Sequence, residues 1–342
     1  MSILRETAEA LCTLPGVSGH ETAIRHYIER RIQESPAEIT VSVQPLGNVI
    51  ARVKGKQPAA RTVLFAAHMD EVGLIVTGIT DGGLLRFAPV GGVDRRVLFG
   101  KRVAVNGLPG VIGGRAVHHL GPEDKGRVPE TDKLAIDIGA ASREEAEAAV
   151  QPGDVALFEN GVVPLANGRI LSKALDDRAG CALLLSLLDE VPERDIVLAF
   201  TVQEEVGCRG AATAAFEVAP AIAVAVDATT AADTAGVPED EQVCSVEGGA
   251  VVSFMDRGTL YDAELYAQIL EIAAKEGIPA QPKRLVAGGN DASAMQRAAG
   301  GCRAAAVSLP CRYLHSPACV LSERDLKAGS ALLKALAREL TR

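Results

Sequence analysis

The sequence predicts an α/β fold: a three-layer sheet with helices on both faces, interrupted by a small inserted β unit. Three observations predict it. Short, almost wholly apolar runs at 62–67, 195–202, 221–226 and 304–310 read as strands of a sheet covered on both sides. Helical patterns alternate with these runs, which is the βαβ texture. Between about 72 and 142 helical periodicity disappears, and short apolar runs are broken by glycine pairs.

Residues 3–14 and 20–34 read as helices, the second with Ser18 and Glu21 at capping-box spacing ahead of Ile24, Tyr27, Ile28 and Ile32. Strands are expected at 39–43, 48–53 and 62–67, separated by "PLGNV" and "KGKQPAA". The block from 72 to about 165 reads as a small all-β unit of barrel type, with a short helix at 142–150 capped by Ser142. Its segment "GPEDKGRVPETDK" at 121–133 is an exposed or partly disordered loop. Helix 176–191 starts in acid, as the helix dipole favours. A helix at 209–216 follows strand 195–202. Helix 262–276 carries Leu265, Ile269, Ile272 and Ala273 on one side, and helices near 291–299 and 323–340 flank strand 304–310. The expected division is 1–70 and 166–342 as one α/β domain, with 71–165 as the β-barrel-like insertion.

The chain has 342 residues, enough for a large core, and 48% are hydrophobic, so a folded globular protein is expected. Aromatic residues are only 3%, which leaves the core to Ala, Val, Leu and Ile. A net charge of -9 and the lack of a basic tract argue against nucleic-acid binding. "MSILRETAEALC" has no secretory-signal pattern, and the longest uncharged apolar stretch, "VAPAIAVAV", is too short to span a membrane. The seven cysteines form no Cys-x-x-Cys pair, which fits reduced thiols and a cytoplasmic location.

Polar residues recur where these apolar strands end. "LFAAHMDEVG" runs into His68 and Asp70, which share a face at strand period two, so the carboxylate can orient the imidazole. "SKALDDRAG" supplies Asp176 and Asp177, "LAFTVQEEVG" supplies Glu204 and Glu205, "IAVAVDAT" supplies Asp227, and "SLPCRYLHSP" supplies His315. Taken singly, each has an ordinary explanation: a helix cap for Asp176, a surface turn for the glutamates, a strand-end cap for Asp227, a packed loop histidine for His315. Taken together they gather where open α/β sheets bind ligands. Several carboxylates at close range repel unless cations hold them, and this His/Asp/Glu set suits zinc, cobalt or manganese.

These motifs, in order and over nearly the whole chain, resemble the co-catalytic two-metal aminopeptidases of the tetrahedral, or TET, type, a glutamyl/leucyl aminopeptidase-like family in which some members carry an endoglucanase label. The resemblance implies a zinc-peptidase-like α/β domain interrupted by a β-barrel or PDZ-like dimerisation domain. It also implies assembly from dimers into a tetrahedral dodecamer. Carried across, His68 binds one metal with Asp70 steering its ring, Asp176 bridges, Asp227 completes the shell of the His68 ion, and Glu205 with His315 holds the other. Glu204 becomes the general base acting on the bridging water. The implied activity is release of N-terminal residues from short peptides with a free N-terminus, using two divalent ions, zinc first and cobalt or manganese as alternatives. A two-metal deacylase or carboxypeptidase, and a non-catalytic assembly protein of the same fold, are the rivals. Asp177 is expected to order the helix start or pair with Arg178. Asp291, in "AGGNDASAM", is expected to be a helix cap or a substrate-side group, and Cys208 a small packed residue.

Overall fold

The computed structural model describes residues 2–159 and 161–342. Helices α1 (Ile3–Thr13) and α2 (Thr22–Gln33) precede strands β1 (Ile39–Val43), β2 (Val49–Val53) and β3 (Val63–His68). Strands β4 (Gly73–Ile79), β5 (Leu85–Val90), β6 (Arg102–Val105), β7 (Leu108–Gly114), β8 (Leu134–Asp137) and β9 (Val155–Phe158) close into a six-stranded barrel. Helix α3 (Arg143–Glu147) sits between the last two and adds Ala146 to the barrel core. β10 (Val163–Pro164) and β11 (Arg169–Ser172) lead into α4 (Leu175–Ser186), β12 (Ile196–Thr201), α5 (Arg209–Val218) and β13 (Ile222–Thr230). The chain ends through β14 (Ala250–Val252), α6 (Ala263–Lys275), β15 (Ala280–Pro282), α7 (Ala292–Met295), β16 (Arg303–Cys311), β17 (Cys319–Ser322) and α8 (Glu323–Glu339).

The main sheet has eight strands in the order β1-β2-β12-β3-β13-β16-β14-β15. Its centre is parallel: β12 and β13 flank β3, and β16 lies beside β13. The C-terminal ends of these four strands therefore share one edge, where open sheets leave a crevice. Strand β3 shows why the runs are apolar throughout. Val63, Phe65 and Ala67 pack into the core under α1, α2, α4, α6 and α8, while Leu64 and Ala66 face the opposite layer. That second layer is alanine-rich: Ala211, Ala214 and Ala215 of α5 meet Ala199 and Ala225 of the sheet. Small residues let the helix lie close, so few aromatics are needed. Phe65 and Phe200, both fully buried, anchor the bulkier side, and truncating either to Ala costs about 3–5 kcal/mol.

Four expectations need correction. Ser18 and Glu21 do not cap α2: no side chain accepts from the helix start, and Ser18 Oγ instead donates to Asp70 Oδ2 at 2.6 Å. A buried carboxylate 52 residues away outcompetes the local cap. Asp227 lies within β13, paired in register with Ser308, because the strand continues to Thr230. α7 stops at Met295, short of the predicted helix, and Ala299 with φ +49° turns the chain away. Asp176 and Asp177 have non-helical backbone angles, so the acidic start of α4 is not a regular first turn. The Ser142 cap does form: its Oγ accepts from Glu145 N at 3.3 Å, and Glu145 Oε2 accepts from Ala141 N at 2.8 Å. The 121–133 segment is largely exposed. Among the described residues no helix is long and apolar enough to cross a membrane.

Candidate metal centre

At the shared edge, His68 closes β3, Asp227 projects from β13, Glu204 and Glu205 follow β12, Asp176 enters α4, and His315 hangs on the loop between β16 and β17. The structure brings all six together. His68 Nε2 lies 3.2 Å from Asp176 Oδ1 and 3.7 Å from Asp227 Oδ1. His315 Nε2 lies 3.4 Å from Asp176 Oδ2 and 3.3 Å from Glu205 Oε2. The two oxygens of Asp176 thus face two different imidazoles. Glu204 diverges from its neighbour, and its carboxylate groups with Cys208 and Asp291.

The other imidazole nitrogens are held by backbone. His68 Nδ1 is 3.1 Å from the Asp70 carbonyl and 3.4 Å from its carboxylate. His315 Nδ1 is 3.1 Å from the Gly92 carbonyl. An Nδ1–H donated in each case leaves Nε2 free as a ligand. Asp70, fully buried, also accepts from Ser18 Oγ and from the backbone N–H groups of Glu204 and Glu205 at 3.0 and 3.1 Å. One carboxylate therefore fixes the turn that carries both glutamates. Gly91 and Gly92 come from the barrel side: a Cβ on Gly91 would meet Glu205 Cβ at 3.2 Å, and one on Gly92 would meet His315 Nδ1 at 3.0 Å. The glycine pair lets the barrel loop lie against the two ligands.

The electrostatics show what the cluster lacks. Burial opposes a charge on His68, yet its hydrogen bonds to Asp176, Asp227 and Asp70 raise its pKa well above the usual value. The hydrogen bond to Asp176 raises His315 to about 10. Burial pushes Glu205 to about 8, helped by Asp176, and pushes Asp227 to about 6. Burial would raise Asp176 too, but bonds from His315 and His68 hold it below the usual range. Without ions the cluster keeps protons that divalent cations would replace. Among the described residues none of Asp176, Asp227, Glu204 or Glu205 forms an ion pair with Lys or Arg. The donor set fits two metals. Ligands about 2.0–2.1 Å from a tetrahedral ion stand roughly 3.4 Å apart, close to the contacts around each imidazole.

Beside the cluster a cavity of about 220 Å³ is lined by Asp176, Glu204, Asp227, Lys283, Gly289 and His315. Asp177 does order the start of α4, accepting from Gly180 N at 3.0 Å, but it does not pair with Arg178. Arg178 is fully buried and donates to the carbonyls of Leu11, Leu14 and Gly16 and to Glu71. Lys173 joins the same Glu71 at 2.8 Å. Asp291 is no cap either: Asn290 Oδ1 accepts from Ala292 N, while Asp291 Oδ2 accepts from Thr201 Oγ1 at 2.5 Å. Ser18, Gly92 and the Glu71–Lys173–Arg178 triad escaped sequence reasoning. Only the Gly91–Gly92 pair left a readable signal, a break in an apolar run.

Comparison with known proteins agrees with this geometry. Residues 47–332 match the family model described as M42 glutamyl aminopeptidase. A protein of Acetivibrio thermocellus named as an aminopeptidase is 42% identical over 320 residues, 93% of each chain. The aminopeptidase APDkam598 of the archaeon Desulfurococcus kamchatkensis is structurally similar at a TM-score of 0.92 and 36% identity, covering 98% of this chain and 94% of its own. The TET1 peptidase of Pyrococcus horikoshii, which can assemble into a tetrahedron or a large octahedral shell, is similar at a TM-score of 0.86 and 37% identity, covering 98% and 99%. With the family model spanning most of the chain and these relatives matching it end to end, the chain belongs to the M42 glutamyl aminopeptidase family.

Proposed function

We propose that this chain is a dinuclear metal-dependent aminopeptidase that removes N-terminal residues from short peptides. The observation that carries the reading is Asp176, whose two oxygens face His68 and His315 at 3.2 and 3.4 Å. In this reading Asp176, with His68 and Asp227 on one side and Glu205 and His315 on the other, would hold two divalent ions, zinc or else cobalt or manganese. Such a pair supplies Lewis acidity, which polarises a scissile carbonyl and lowers the pKa of water.

The protein's own groups do the rest. Glu204 takes the proton from the attacking water and delivers it to the leaving amine. Burial raises its pKa well above the usual carboxylate value. Asp70 holds the Glu204 and Glu205 backbone, so base and ligand stay in register. The acidic lining of the cavity suits a free α-amine, and its one lysine, Lys283, is engaged with the Ala287 carbonyl at 2.6 Å.

The test is Glu204→Gln. It should keep both ions and lose about 10²–10⁴-fold in kcat. Comparable activity in that variant overturns the base assignment. Free-amine peptides should be cleaved and N-blocked peptides should not; the reverse pattern indicates a deacylase or carboxypeptidase.

Residues 71–165 are taken as the dimerisation insertion. Exposed Phe99, Val117 and Val128 border a cavity of about 430 Å³ on that unit, and likeness to a TET1 structure described as a dodecamer supports a tetrahedral dodecamer. Sedimentation distinguishes a dodecamer from a dimer. A cytoplasmic location is supported by seven free thiols, five of them buried.

A further inference from the structure

A second group of donors adjoins the dinuclear cluster and shares none of its five ligands. Glu204, Cys208 and Asp291 each offer an atom within 4.8 Å of the other two. Cys208 stands just before α5 with φ +52°, and its Sγ donates to Glu204 Oε1 at 3.4 Å. Ser293 Oγ lies 3.9 Å from the same sulfur. Asp291 reaches the group from the turn before α7 and is 3% exposed.

The state of Asp291 is what calls for a ligand. Its Oδ2 accepts from Thr201 Oγ1, but its Oδ1 is buried with no hydrogen-bond partner. A carboxylate oxygen held dry without a donor is costly. Capping does not explain it, because Asn290 performs that task for α7. Burial and the two carboxylates push the Cys208 thiol up, and burial pushes Asp291 to about 7. Each group raises the cost of charge on the others, and a cation among them relieves all three.

We propose that Glu204, Cys208 and Asp291 form a third cation site, selective for a thiophilic divalent ion such as zinc or cadmium, and that filling it withdraws Glu204 from catalysis. One sulfur and two carboxylates suit those ions and not magnesium or calcium. As the metal–sulfur bond forms, the thiol proton leaves to solvent, and Glu204 and Asp291 each contribute an oxygen. The site would turn peptide hydrolysis down when free zinc exceeds what the dinuclear pair takes up. The inhibition, though not the site, rests on Glu204 being the base.

The experiment uses the full-length protein carrying two equivalents of zinc and titrates cadmium against it. A third bound equivalent is expected by equilibrium dialysis, with a thiolate-to-cadmium charge-transfer band in the ultraviolet, which the dinuclear ligands cannot produce. Turnover should fall with the same midpoint. Cys208→Ser should keep two ions, lose the band and bind the third equivalent about 100-fold more weakly. Asp291→Asn, its fold checked by circular dichroism, should weaken that equivalent likewise. Absence of a third equivalent, or a band that survives in Cys208→Ser, overturns the site. A third equivalent that leaves turnover intact supports the site and overturns the base role of Glu204, so the two failures are distinguishable.

Discussion

Asp70 and Glu71 are neighbours in sequence, yet they belong to two buried ionic clusters of opposite character. Glu71 is met by Lys173 at 2.8 Å and Arg178 at 3.2 Å, so its charge is matched by side chains of the same chain. Asp70 borders the cluster of His68, Asp176, Asp227, Glu205 and His315, in which no carboxylate meets a Lys or Arg among the described residues. Both clusters are largely buried, His315 being the most exposed member of the second. Burying a charge is tolerable only with a partner. The first carries its partners in the sequence and fastens α1 to α4 whatever the solution contains. The second leaves the partner to be supplied from outside, which is the physical meaning of a metal centre.

The most severe way to probe the difference is to remove the ions. Each divalent ion present at 1,000 times its Kd stabilises the fold by about 4 kcal/mol, so chelation should lower Tm sharply. The sign of the pH dependence sharpens the test. With folded pKa values raised to about 6 and 8, Asp227 and Glu205 keep protons that the unfolded chain has lost. Chelated protein therefore loses stability as pH rises from roughly 4 to 8. His315, raised to about 10, acts in the same direction: its contribution is full below 6.5 and is lost as pH rises through about 10. The depressed Asp176 matters only at acid pH, below its usual 3.8. Calorimetry should show the chelated protein melting lower at pH 8 than at pH 6. The gap to the loaded protein should widen over that interval, because metal binding needs the deprotonated ligands. A chelated Tm that rises between those pH values contradicts the idea that the second cluster lacks its own cations.

Breaking the self-matched cluster should have a different signature. Arg178→Met removes a fully buried guanidinium that also satisfies three carbonyls, and should cost about 3–5 kcal/mol in thermal stability. Bound metal should stay at two ions per chain, measured by atomic emission on protein folded at low temperature. If the variant keeps its Tm but loses metal, the two clusters are not independent and the contrast fails.

What was legible in the sequence follows from the range of the forces involved. A strand buried on both faces must be apolar, so His68, Glu204, Glu205 and Asp227 stood out against their own segments. The sheet order that gathers them is not written locally, yet the rule that crevices form at strand ends was enough to group them. Gly92 could not be read as a holder of His315, because the contact is a backbone carbonyl 223 positions away. The burial of Lys173 and Arg178 is not readable from "SKALDDRAG", since nothing in a sequence marks a charge as buried. The cap reading of Asp291 fails for the opposite reason: its local setting before Ala-Ser-Ala-Met is a good cap, and Asn290 takes that role instead.

Ser18 is the same error in its most testable form. As a cap it would serve α2, and Ser18→Ala would weaken that helix by about 1 kcal/mol while leaving the chemistry alone. In the folded protein its hydroxyl donates to Asp70 at 2.6 Å, one of three donors that fix the carboxylate between His68 and the Glu204–Glu205 turn. A lost partner of a metal-orienting group typically costs about 10–100-fold in metal affinity or activity, and with two backbone donors remaining the lower figure applies. Ser18→Ala should therefore reduce kcat about tenfold or less, with KM and far-ultraviolet circular dichroism nearly unchanged. The metal dissociation rate should rise in parallel. Should the variant instead melt earlier with normal turnover and metal retention, the hydroxyl acts on the helix, and Asp70 is held well enough by the backbone alone.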